Sequence, residues 1–124
     1  MAELTLPHRL KRRADFLRLA AKGRKIARHG FVLQALRSVE VKDLQIGFTA
    51  TKKLGNAVIR NRAKRRLREA ARLSLGELRL AGQDLAGVEL VLIGRRETGE
   101  MNFASLRANL AKAVSEALYQ KGGA

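Results

Sequence analysis

The chain has 124 residues, neither cysteine nor tryptophan, and 26 Lys/Arg against 11 Asp/Glu, a formal net charge of +15. One ordinary domain fits that length and can bury a core without staples; the absence of cysteine excludes disulfides, thiolate metal sites and cysteine nucleophiles, and fits a reducing, cytoplasmic setting. No apolar run approaches the ~20 residues that cross a bilayer, and none follows Met1–Pro7 as a secretory signal would, so no membrane partner is expected.

Residues 10–22 read as a helix, with Leu10, Ala14, Leu17 and Ala21 at helical spacing, Phe16, Leu19 and Ala20 beside them, and Gly23 as a stop signal. On spacing alone Phe16 is as readily a core residue as a functional ring. A short strand over Arg24–Arg28 is allowed. Residues 31–39 and 44–50 read as strands, the second alternating cleanly through Leu44, Ile46 and Phe48. The polar residues Glu40 to Asp43 suit a hairpin connection.

After Thr51-Lys52-Lys53-Leu54, Gly55 supplies a turn and Asn56 a helix N-cap, whose side chain can accept from a free backbone amide. The helix that follows is expected from about Ala57 to Leu75, with 76–86 irregular. Val88–Ile93 reads as a buried strand. A last helix, 103–119, puts Phe103, Leu106, Leu110, Ala113, Val114, Ala117 and Leu118 on its core face. The tail Lys121–Ala124 is expected to fray. The order α-β-β(-β)-α-β-α is that of an α/β (α+β) two-layer sandwich forming a single domain over 1–124.

Charge is distributed unevenly along this order. Residues 1–72 hold 20 Lys/Arg and 5 Asp/Glu, whereas 73–124 hold six of each. One part of the domain therefore carries the whole excess, which points to a polyanion. The excess peaks in residues 60–72, where seven of thirteen are basic and Glu69 is the single acid. On a helix, Ile59, Ala63, Leu67 and Ala70 form a narrow apolar stripe. Arg60, Lys64, Arg68 and Arg72 run beside it at i, i+4, and Arg62, Arg65 and Arg66 fan around the other side. Like charges at that spacing destabilise an isolated helix by a few tenths of a kcal/mol per pair, so folding gives no reason for the row and a phosphate chain does. Arginine forks hold phosphate oxygens in pairs. Arg9, Lys11, Arg12, Arg13, Arg18 and Lys22 add a second basic helix.

The sequence offers little for protein-borne chemistry. The acids are scattered, the only histidines are His8 and His29, and no glycine-rich nucleotide loop precedes a helix. On the residues alone, three readings compete with a specific RNA partner. A ribosomal protein or RNA chaperone would carry similar charge. A DNA-recognition helix would present more Asn, Gln and Ser to base edges. An autonomous endonuclease would cut without added RNA.

The stretch Lys52-Lys53-Leu54-Gly55-Asn56-Ala57-Val58-Ile59-Arg60-Asn61-Arg62-Ala63-Lys64-Arg65-Arg66-Leu67-Arg68-Glu69 resembles the signature of the bacterial ribonuclease P protein family. Arg9-Leu10-Lys11, Asp15-Phe16, Lys22-Gly23 and Phe31-Val32 match the family's N-terminal half in order and spacing. The likeness covers about residues 9–118. It implies a left-handed strand–helix–strand crossover, where general rules give a right-handed one. It also implies the partners, which are the ribonuclease P RNA subunit and the 5′ leader of precursor tRNA. Lys52, Lys53, Asn56, Arg60, Asn61, Arg62, Lys64, Arg65 and Arg68 would meet the RNA subunit. Arg9, Lys11, Arg12, Phe16 and Lys22 would hold the leader, with Phe16 stacking on a base. The RNA would carry the chemistry with Mg²⁺ that it mainly holds itself, and the protein would have no catalytic or metal-ligating residue. Ala20 and Gln34 stand where the family often has aromatics, Glu89 where Asp is common, and Gly94-Arg95 replaces Ala-Arg.

Overall fold

Residues 8–10, 12–38 and 43–119 are described by the computed structural model of the chain. In order they form β1 (His8–Arg9), α1 (Arg13–Lys22), β2 (Arg24–Arg28), β3 (Phe31–Arg37), β4 (Gln45–Ala50), α2 (Ala57–Leu80), β5 (Val88–Gly94) and α3 (Phe103–Tyr119). Two 3-10 turns, Lys52–Leu54 and Arg96–Gly99, flank α2 and β5. The strands make one mixed sheet in the order β1-β4-β5-β3-β2. β3 is antiparallel to both β2 and β5, whereas β4 runs parallel to β5, with Phe48 opposite Leu92. The α/β sandwich read from the sequence is thus present, and the β4–α2–β5 crossover is consistent with the left-handed connection.

Strand alternation sorts the side chains. Phe31, Leu33 and Ala35 of β3, Ile46 and Phe48 of β4, and Val88, Leu90 and Leu92 of β5 enter the main core. There they meet Leu67, Ala70, Ala71 and Leu75 of α2 and Leu106, Leu110, Ala113 and Val114 of α3. The intervening residues Leu36, Val91 and Ile93 form a second, smaller cluster with Leu10, Phe16 and Leu19. That cluster is where α1 lies, so α2 and α3 share one face of the sheet and α1 crosses part of the other.

Two elements depart from the sequence reading. α1 starts at Arg13; Leu10 instead follows β1, its amide donating to the Ile46 carbonyl at 2.8 Å. The helix buries Leu19, while Leu17 is 54% exposed, so the stripe through Ala14, Leu17 and Ala21 is not the buried face. α2 continues past Leu75 to Leu80, although residues 76–80 read as irregular. Ser74 and Gly76 are buried there, and the Ser74 hydroxyl donates to the Arg107 carbonyl of α3 at 2.9 Å. Packing on α3 offsets the roughly 1 kcal/mol that a mid-helix glycine costs. The connection at Glu40–Lys42 and the tail 121–124 lie outside the described residues.

Candidate nucleic-acid interface

The basic helix begins on the cap that the sequence proposes. Asn56 Oδ1 accepts from the Ile59 amide at 3.0 Å, and Gly55 turns the chain at φ 142°, a conformation that favours glycine. A Cβ added to Gly94 would sit 3.3 Å from Ala63 Cβ, so α2 rests closely on β5. That contact buries Ala63, Leu67, Ala70 and Ala71 and turns the cationic side chains outward. Ile59, at the start of the expected stripe, is 48% exposed.

The cations of α2 occupy two flanks. Arg68 marks the flank toward β4, its guanidinium carbon 5.8 Å from the Phe48 ring centroid. Arg60 and Lys64 precede it at i−8 and i−4 and are half-buried. On the other flank Arg62 Nε donates to the Gly99 carbonyl at 3.1 Å, and Arg66 donates to the Met101 carbonyl and lies over Phe103. Asn61 and Arg65 are exposed between them, and Lys52 and Lys53 are exposed on the first 3-10 turn. The buried Nε atoms of Arg60, Arg66 and Arg68 have no acceptor among the described residues. They are unspent donors of the kind that an anion satisfies. Arg72 differs from the rest of its row, because it bonds Glu69, and that hydrogen bond holds the Glu69 carboxyl below the usual range. Among the described residues, the part of the row without a compensating acid is therefore Arg60, Lys64 and Arg68.

A cleft of about 420 Å³ opens between α1 and the sheet. Arg13, Phe16 and Ala20 line its helical wall, and Val91, Ile93 and Gln34 line its sheet side. Phe48 and Thr49 of β4 complete the lining. The Phe16 ring reaches the sheet because residue 47 is glycine. Gln34 is only 7% exposed, among largely apolar neighbours. Phe48 is among the residues that line the cleft, and its ring, which packs in the core under α2, carries the Arg68 guanidinium.

α1 is held over this cleft by more than its apolar face. Arg18 donates to both carboxylate oxygens of Glu89 at 2.7 Å each, and to Asp15 at 3.1 Å. Glu89 is 1% exposed on β5, and its hydrogen bonds, followed by that of Asp15, raise the Arg18 pKa above its ordinary value.

Of the other residues expected on α1, Arg12 is exposed and 3.7 Å from Asp15, and Lys22 is exposed in the last turn. Arg9 lies in β1 beside β4, whereas Lys11 falls outside the described residues. Sequence reasoning named Arg13 among the cations of the first helix and Glu89 as a departure from the family pattern, but gave neither a place at the cleft. Arg13 was legible there at i−3 from Phe16, whereas the partnership of Glu89 with Arg18 depends on how α1 packs on β5. Among the described residues, no three His, Cys, Asp or Glu side chains are grouped so as to hold a metal ion, and no helix is long and apolar enough to cross a membrane.

Comparison with known proteins agrees with this arrangement. A family model described as Ribonuclease P matches residues 4–118. The chain is 50% identical over 110 residues to the ribonuclease P protein component of Gluconacetobacter diazotrophicus, covering 89% of this chain and 90% of that one. It is 44% identical over 110 residues to that of Paramagnetospirillum magneticum, covering 86% and 79%. Among solved structures, the Staphylococcus aureus RNase P protein superposes with a TM-score of 0.69 at 28% identity, over 89% of this chain and 94% of that one. The Thermotoga maritima protein gives 0.68 at 27% identity, over 87% and 96%. The signature on α2, the sandwich that displays it and these matches along nearly the whole length place the chain in the ribonuclease P protein family, as the protein component of a tRNA-processing ribonucleoprotein.

Proposed function

We propose that the chain binds the ribonuclease P RNA subunit through the exposed face of α2 and holds the 5′ leader of precursor tRNA in the cleft under α1. The observation that carries this reading is the Arg60–Lys64–Arg68 row on the exposed flank of α2, in the same molecule as a Phe16-lined cleft under α1. Phe16 offers an apolar face for a base, worth about 1–3 kcal/mol per stacked base. Arg13 and the α2 row supply charge along the backbone path. With Ala20 and Gln34 in place of rings, stacking is confined to Phe16, and charge contributes more of the affinity.

In this reading the RNA subunit carries the chemistry and holds the Mg²⁺. The protein lowers repulsion between two polyanions and keeps the leader in register, which favours productive Mg²⁺ binding by the RNA. Positioning of this kind speeds a reaction without a catalytic side chain. The setting is the cytoplasm, where precursor tRNA is made.

The test is cleavage of labelled precursor tRNA at low Mg²⁺, with and without ribonuclease P RNA, using leaders of increasing length. The expected result is an inert protein alone, strong acceleration with the RNA at the mature 5′ end, and a gain that grows with leader length until the cleft is filled. Tight RNA binding without acceleration would instead favour an RNA chaperone. Cleavage by the protein alone would assign the chemistry to the chain.

A further inference from the structure

A cavity of about 730 Å³ lies apart from the cleft under α1. It lies on the other flank of α2, between that helix and the 3-10 turn Arg96–Gly99, within the range of about 300–1,000 Å³ typical of small-ligand sites. Arg62 and Arg66 enter it from α2, and Arg95 and Arg96 from the end of β5 and the turn. Glu100 is the one acid on its wall. Its floor is aliphatic, made by Leu54, Ile59 and Ala63. Ile59 is 48% and the adjacent Val58 75% exposed, which the fold alone does not explain.

The turn is rigidly built. The buried Thr98 hydroxyl accepts from the Arg95 amide at 2.7 Å and donates to the Gly30 carbonyl at 2.5 Å. The Glu97 carboxylate accepts from the Gly30 amide at 3.3 Å. Gly30 has φ 105°, and a Cβ there would lie 2.5 Å from Met101 Sδ. The β2–β3 hairpin therefore fixes where Arg95 and Arg96 stand. Arg62 is fixed from the opposite side by its bond to the Gly99 carbonyl. Arg96 is exposed, and Arg95 Nε lies 3.5 Å from the Glu97 carboxylate. Arg66 Nε is buried in the same wall without an acceptor.

We propose that this groove seats one unpaired nucleotide of the ribonuclease P RNA subunit, with the base on the Leu54–Ile59–Ala63 floor and its flanking phosphates on Arg62, Arg95 and Arg96. An aliphatic floor walled by planar guanidinium groups suits an unstacked base. A regular duplex backbone would meet the arginines and leave the floor bare. The RNA subunit is the source because the groove continues the exposed face of α2, and the inference rests on the reading that this face meets that RNA. The interface then extends beyond the signature helix to a turn outside the basic half of the chain.

The experiment measures the affinity of the full-length protein for ribonuclease P RNA as a function of salt. Four proteins are compared: wild type, Arg95→Ala/Arg96→Ala, Ile59→Ala and Arg60→Ala/Lys64→Ala. The Arg95/Arg96 variant is expected to bind about tenfold more weakly, with the slope of log K against log salt reduced by about 1.4 for two lost single-strand phosphate contacts. Ile59→Ala is expected to weaken binding severalfold with an unchanged slope, since a base contact releases no counterion. Arg96→Glu, on an exposed side chain, keeps the test valid should the double variant unfold, and is expected to weaken binding further. If the groove variants bind like wild type while Arg60→Ala/Lys64→Ala is weakened, the groove proposal fails and the reading of α2 stands. If Arg60→Ala/Lys64→Ala also binds like wild type, that reading fails too. If the Arg95/Arg96 variant assembles normally but the holoenzyme binds precursor tRNA less tightly, the nucleotide belongs to the precursor and the stated source is wrong.

Discussion

Gly47 of β4 faces the ring of Phe16 so closely that a Cβ on it would come within 2.6 Å of Cζ and 2.8 Å of Cε1. The Phe16 ring and the floor of the cleft therefore define each other. Gly47→Ala forces the ring to turn or α1 to lift, and overpacking of this kind costs about 1–3 kcal/mol. Urea denaturation is expected to show that loss in wild type and little of it in a Phe16→Ala background. Equal losses in both backgrounds would mean that the clash lies elsewhere, with Leu10 as the next nearest atom.

The Arg18–Glu89 pair is expected to hold α1 in place. Glu89→Gln keeps one acceptor but removes the charge and the second acceptor, so Asp15 is the one carboxylate left to Arg18. Breaking a buried pair costs about 3–5 kcal/mol, but Arg18 is 34% exposed and partly screened, so a loss of about 2 kcal/mol is expected. In the holoenzyme the same variant should lower affinity for precursors with long leaders more than for those with one-nucleotide leaders. A uniform loss across leader lengths would make the pair a matter of stability alone.

Charge on α2 is expected to be read out by salt. Replacing Arg60, Arg62 and Lys64 together by Ala should reduce the slope of log K against log salt for RNA-subunit binding by about two, at one single-strand phosphate each. An unchanged slope would place the interface on another face.

Glu97 gives the fold a pH dependence. Its own backbone amide, and then that of Gly30, hold its carboxyl below the usual range, with Arg95 and His29 adding to the effect and burial opposing it. A carboxylate whose folded pKa is lowered contributes stability that is fully present above its unfolded value of 4.5 and is lost as pH falls through the lower folded value. Thermal melts of wild type and Glu97→Gln should therefore differ most above pH 4.5 and converge in stronger acid. A constant gap down to pH 2 would refute the assignment.

Much of this was legible in the sequence because it depends on local chemistry. The Asn56 cap, the alternation of Leu44, Ile46 and Phe48, and the α3 core face all follow from neighbours within a few residues. The misread parts depend on distant ones. Leu10 looks helical by spacing, yet its amide is claimed by Ile46, which pairs it with β4. Gly76 looks like a helix end until α3 is packed against it. The partnership of Arg18 with Glu89 spans 71 residues. Arg72 looked like a fourth member of the basic row until Glu69 was seen to occupy it.

Phe48 has two duties. It fills the core beneath α2 and also carries the Arg68 guanidinium on its ring. Losing the ring removes both at once, so mutational freedom at this position is narrow. Ala20 and Gln34 line the cleft. Adaptation to a new set of leaders should accordingly accumulate at those two positions, while residue 48 stays aromatic as lineages diverge.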